Sequence, residues 1–147
     1  MFKHLLIPTD GSVLACKAIE AAIDFAREAR ARVTGYYALP VRESGEGDDE
    51  IDREASARYE RRARHEAQLA LNVIGNEARA QSVCCDLVMS VAQTPYMGII
   101  EAASERGCDL IFMASHGRTG LPVQILGSVA QKVVALATIP VLIFRTA

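Results

Sequence analysis

Five short apolar runs, each separated from the next by a stretch long enough for a helix, constrain this 147-residue chain more than any other feature. The runs at 2–7, 33–39, 83–89, 109–113 and 141–145 have strand length, and the first stops at the turn residues Pro8-Thr9-Asp10-Gly11-Ser12. Between the first two runs Ala15, Ala18, Ile19, Ala22, Ile23 and Ala26 recur at three and four, while Lys17, Glu20, Asp24 and Arg27 fall opposite. That is one apolar helix stripe made to lie on a sheet. A strand, a crossover helix and a second strand form a right-handed βαβ unit with parallel pairing. The order β-α-β-α-β-α-β-α-β therefore implies an α/β fold, a single-domain, open, mostly parallel five-stranded sheet with helices on both faces, Rossmann-like and spanning 1–147. With half its residues hydrophobic, a chain of this length can bury one core of its own.

The connecting segments carry less chemistry. Residues 42–50, RESGEGDDE, read as an acidic excursion, and the pair Asp48 and Asp49 as solvated carboxylates without calcium-loop spacing. From 52 to 78 a helix is expected, with Ala55, Tyr59, Ala63, Ala67, Ala70 and Val73 or Ile74 on its buried face. Its arginines, including Arg58, Arg61, Arg62 and Arg64, alternate with Glu54, Glu60 and Glu66, as on a solvated face. After a loop through Thr94-Pro95, a helix with Met97, Ile100 and Ala103 inward ends at Gly107.

Charge and cysteine content exclude several classes of function. A formal net charge of -2 offers no basic footprint, and the few aromatics no stacking platform, so nucleic acid is not the expected partner. No apolar run approaches the length of a membrane span, and the chain enters its first strand without a charged and apolar leader. A soluble, cytoplasmic protein is expected. Cys16, Cys84, Cys85 and Cys108 lack metal-ligand spacing and read as reduced thiols, with Cys84 and Cys85 on opposite faces of a strand.

The loop at 114–129 carries the chemistry. It joins an apolar strand to a helix and contains three glycines, so backbone N–H groups can converge on an anion without Cβ atoms in the way. Ser128 followed by Gln131 matches a capping box, and the helix N-terminus adds unpaired donors and a partial positive charge suited to phosphate. Neither a P-loop nor a G-x-G-x-x-G string is present. Instead nine residues separate Gly117 from Gly127, Ser128 follows, and Ala114 stands three residues before Gly117.

This spacing resembles the nucleotide-binding signature of the universal stress protein family, G-x2-G-x9-G-[ST], with Ala114 in place of the first glycine. The opening LLIPTDGS, the strand at 108–113 and the closing IPVLI are similar to that family as well, so the resemblance covers essentially the whole chain. It implies an adenine-nucleotide site for ATP or AMP, with Mg²⁺ accompanying ATP, and a sensor or regulatory module of a stress response. By the resemblance Asp10 contacts the ribose, with Pro8 and Thr9 in the same loop. Ala38 and Leu39 line the adenine pocket, Met113 and Ala114 form its base, and Gly117, Gly127, Ser128 and Val129 hold phosphates and ribose.

Elementary chemistry agrees with several of these roles. A carboxylate such as Asp10 accepts from two vicinal hydroxyls, although it also suits a cap beside Ser12. Arg118 offers a charge-assisted phosphate donor, although an arginine in a glycine loop is more often solvated, and His116 reads as a structural loop residue rather than a base, because the sequence shows no nucleophile with a fixed partner near it. Ala114 has two readings. It crowds the ligand if the glycine is needed for close approach, and changes little if the strand simply ends there. Two alternative functions follow: slow Mg²⁺-dependent ATP hydrolysis, and a dimeric scaffold of the same fold without nucleotide. The resemblance also implies a homodimer through the final strand, which is apolar and hazardous as a free edge.

Overall fold

The computed structural model describes residues 1–42, 49–116 and 125–145. Five strands, β1 (His4–Pro8), β2 (Arg32–Pro40), β3 (Cys85–Ala92), β4 (Leu110–Ala114) and β5 (Val141–Phe144), alternate with four helices. These are α1 (Val13–Ala29), α2 (Glu50–Ala80), α3 (Pro95–Glu105) and α4 (Ser128–Leu136). The strands form one parallel sheet in the order β3-β2-β1-β4-β5, with Leu5 opposite both Val33 and Leu110. The sequence-based α/β, five-stranded parallel reading holds.

Alternation along the strands divides the core. Leu5, Ile7, Val33, Leu110 and Phe112 meet Ile19 and Ile23 of α1 and Leu71 and Ile74 of α2 on one face. On the other, Leu6, Tyr36, Ile111 and Met113 meet Ile99 of α3 and Val133 of α4. Each buried isoleucine contributes about 2 kcal/mol of transfer free energy, which fixes the helices to their faces. The stripe expected for α1 is the buried one.

Two helix faces differ from the sequence reading. In α2 the buried residues are Ala67, Ala70, Leu71, Ile74 and Ala78, while Ala55, Tyr59 and Val73 are exposed. All the residues this long helix buries fall in its second half, so the spacing of its first half marks no buried face among the described residues. There Arg42 lies 4.9 Å from the Tyr59 ring centroid and donates to the Ala55 carbonyl. In α3 the inward residues are Gly98, Ile99, Ala102 and Ala103. Met97 is exposed because the face is rotated by one residue. Asp49 is the N-cap of α2, accepting from Asp52 N at 2.8 Å, while Asp48 lies outside the described residues.

The lower end of the sheet holds an acid-sensitive joint. Buried His4 pairs Nε2 with Thr34 Oγ1 at 2.7 Å, and its Nδ1 is buried without a partner among the described residues. Burial, and then Arg32, hold its pKa below the ordinary value of 6.5, against Asp109 and Asp86, while Arg106 adds to the lowering. Beside it the Asp109 carboxylate accepts from the Lys3 and His4 amides at 2.9 and 3.0 Å. Burial opposes ionisation there, yet those amides hold its pKa below 3.8. Both folded-state values lie below the unfolded ones, so the unfolded chain binds more protons. Stability is therefore present above pH 6.5 and declines as pH falls through that value, with a further loss below about 3.8. Thermal unfolding at pH 7.5 and 5.5 should show the first loss, and His4→Gln should reduce it. A midpoint independent of pH over that range would refute this origin.

The thiols follow their burial. Burial pushes Cys85 and Cys108 up to about 11, and Cys84 is exposed.

Candidate functional site

The chain leaves β1 toward β2 over one face and leaves β4 toward β5 over the other, and β1 and β4 are neighbours. A crevice must open beyond their carboxyl ends, where the two loops diverge. A cavity of about 300 Å³ lies there.

The loop after β1 supplies the first wall. Thr9 N donates to the Tyr36 carbonyl at 2.9 Å, continuing the β1–β2 pairing one residue beyond the strand. Thr9 Oγ1 then accepts from Gly11 N at 3.1 Å, and Asp10 Oδ1 accepts from Ser12 N at 2.9 Å. Ser12, rather than Asp10, caps α1, accepting from Ala15 N. Asp10 thus fixes the turn while it stands half-buried on the cavity wall.

The loop after β4 supplies the second wall. Its stem is closed by Gly127 N donating to the Ser115 carbonyl at 2.8 Å, and Ser115 N in turn donates to the Phe144 carbonyl of β5. Gly127 has ordinary dihedrals. A Cβ there would lie 2.8 Å from His116 Cβ and 3.1 Å from His116 Cα, so close approach requires the glycine.

The capping box expected of Ser128 is not formed. Gly127 is the N-cap, with no side-chain hydrogen bond, and Gln131 Nε2 donates to the Leu126 carbonyl at 2.6 Å. The register is one residue earlier because the glycine, not the serine, makes the tight contact. Ser128, Val129 and Ala130 become the first three helical residues, and Gln131 N makes the first helical bond, to the Gly127 carbonyl. Their amides have no acceptor within the helix, and all three residues line the cavity.

Of the residues singled out from sequence, Pro8, Thr9, Asp10, Ala38, Met113, Ala114, Gly127, Ser128 and Val129 line this one cavity. Leu39 is buried and does not line it. Gly117 and Arg118 lie outside the described residues. Ala114 ends β4 opposite Phe144 without a positive φ, so the backbone there does not call for glycine. His116, read as a structural loop residue, lines the cavity and pairs Nδ1 with Ser115 Oγ at 3.1 Å. Among the described residues no three His, Cys, Asp or Glu side chains form a metal-binding group, and no helix is long and apolar enough to cross a membrane.

Sequence reasoning missed Tyr36, Tyr37, Pro95 and Ile99 on the same walls. Two adjacent tyrosines beside Ala38 were a visible signal. Pro95 and Ile99 had none, because only packing of α3 across β2 brings them there.

Residues 1–145 match the model of the universal stress protein family. The chain is 33% identical to universal stress protein MJ0531 of Methanocaldococcus jannaschii, over 99% of its own length and 83% of that protein. Its fold is similar to the solved structure of MJ0577 of Methanocaldococcus jannaschii, with a TM-score of 0.80, 26% identity, and coverage of 100% of this chain and 98% of that one. It is also similar to an Arabidopsis thaliana universal stress protein family protein with AMP bound, with a TM-score of 0.70, 15% identity, and coverage of 99% and 93%.

Proposed function

The chain belongs to the universal stress protein family, and from that premise we propose that its cavity binds an adenine nucleotide, ATP or AMP, as the signal of a cytoplasmic regulatory module. One observation carries the reading: Asp10 and the first three residues of α4, whose amides have no acceptor within the helix, line the same cavity. A carboxylate suits vicinal ribose hydroxyls, and unpaired amides at a positive helix end suit phosphate. The apolar remainder, including Ala38, Met113 and Val129, suits a base. AMP bound to the Arabidopsis relative supports this class of guest. Gly117 and Arg118 belong to the proposed site as further phosphate contacts, and Mg²⁺ accompanies ATP through its phosphates.

Isothermal titration of nucleotide-stripped protein with ATP and AMP tests the reading. Asp10→Asn keeps an acceptor for Ser12 N but removes the charge, and should weaken binding about tenfold or more, consistent with loss of a charge-assisted hydrogen bond. Unchanged affinity in Asp10→Asn would remove Asp10 from the site.

We further propose a homodimer through β5. This strand is at the sheet edge, and all four of its residues, Val141 to Phe144, are apolar and half-buried. A second copy would cover an edge that is otherwise open to association. Sedimentation should give a dimer at micromolar concentration; a stable monomer there would refute it.

A further inference from the structure

Tyr36 borders the cavity but has no solvent exposure, so it stands directly behind the cavity surface. We propose that Tyr36 is the specificity-determining residue backing the wall of this site, fixing how deeply a base can seat and so restricting the guest to adenine without bulky substituents. The assignment rests on the nucleotide reading above and goes beyond it by naming what limits the base.

The ring is held from several directions. Its hydroxyl pairs with Ser90 Oγ on β3 at 2.7 Å. It also occupies the space where a Cβ on Gly98 of α3 would stand, so the ring reaches the helix backbone. It belongs to the same buried cluster as Leu6, Ile99, Ile111 and Met113. Burial pushes the phenol pKa up, so the hydroxyl stays neutral beside Ser90. A side chain locked by packing and a hydrogen bond cannot swing aside for a larger guest.

Its neighbours on the walls explain why this one residue decides. Ala15, Ala38, Ala114 and Ala130 are small, so the space they leave is closed chiefly by the large side chains, among which Tyr36 is fully buried and is anchored at its far end by Ser90. Shortening it would extend the cavity toward Ser90 and Gly98 rather than toward solvent.

The test is a selectivity ratio, which a merely structural role would not move. Wild type, Tyr36→Phe, Tyr36→Leu and Tyr36→Ala are titrated with ATP and with ATP carrying a benzyl group at N6 or a bulky substituent at C2 or C8. Wild type and Tyr36→Phe should both favour ATP, because the ring remains. In Tyr36→Leu or Tyr36→Ala at least one analogue should gain about tenfold relative to ATP, the scale on which a pocket wall discriminates by size. Tyr36→Leu keeps an apolar side chain in the core, so the ratio remains measurable should the alanine variant fail to fold. An unchanged ratio in the folded variants, with wild type binding ATP, would overturn the wall assignment alone. No binding of ATP or AMP by wild type would overturn the nucleotide reading and this inference together.

Discussion

A Gly127→Val variant should lose at least about a hundredfold in ATP affinity, equivalent to about 2.7 kcal/mol. Gly127 has a φ of -64°, so the loss would not come from backbone strain. It would come from space: a Cβ would sit 2.8 Å from His116 Cβ and 3.1 Å from its Cα. Relieving that contact moves His116 away and breaks the Gly127–Ser115 backbone bond that closes the loop stem. The amides of Ser128, Val129 and Ala130 then lose their position on the wall, and preorganised donors are worth most when they need not move. Titration calorimetry on the folded variant measures the effect. Affinity within about threefold of wild type would show that the loop stem does not hold the site.

Gly98→Ala should destabilise the protein by about 2 kcal/mol, the usual scale of overpacking. The direction is opposite to helix propensity, which favours alanine over glycine by about 1 kcal/mol in a helix interior. The Tyr36 hydroxyl occupies the position of the new methyl group, and Ala92 Cβ stands 2.9 Å from it. The thermal midpoint should fall by about 4–8 °C. Removing the hydroxyl in the double variant Gly98→Ala, Tyr36→Phe should restore part of the loss, since the two residues share one contact. A midpoint raised by Gly98→Ala alone would show that the ring yields, and would weaken the case for Tyr36 as a fixed wall.

The fold was legible because its signals are local. The stripe from Ala15 to Ala26 is the face that α1 buries, and the apolar runs are the strands. Where a pattern outran its partner, the reading failed. Ala55 and Tyr59 keep helical spacing, but α2 buries only residues from Ala67 onward. Met97 was taken as inward from spacing alone, whereas the contact of Gly98 with Tyr36 sets the rotation of α3.

The walls of the site were legible in proportion to their closeness to a motif. Asp10 and Ser128 stood out through the turn and the glycine spacing, and both line the cavity. The capping box was misplaced by one residue, because the contact between Gly127 and His116 joins residues eleven positions apart and leaves no local pattern. Tyr36 and Ile99 come from β2 and α3, and only the sheet order β3-β2-β1-β4-β5 brings them together.

Amide chemical-shift mapping of the nucleotide-stripped protein during titration with ATP tests the central claim most directly. Saturable shifts should concentrate on Thr9 to Ser12 and on Gly127 to Ala130, with AMP competing for the same residues. Absence of saturable shifts, or shifts confined to residues away from both loops, would contradict an adenine-nucleotide site in this cavity.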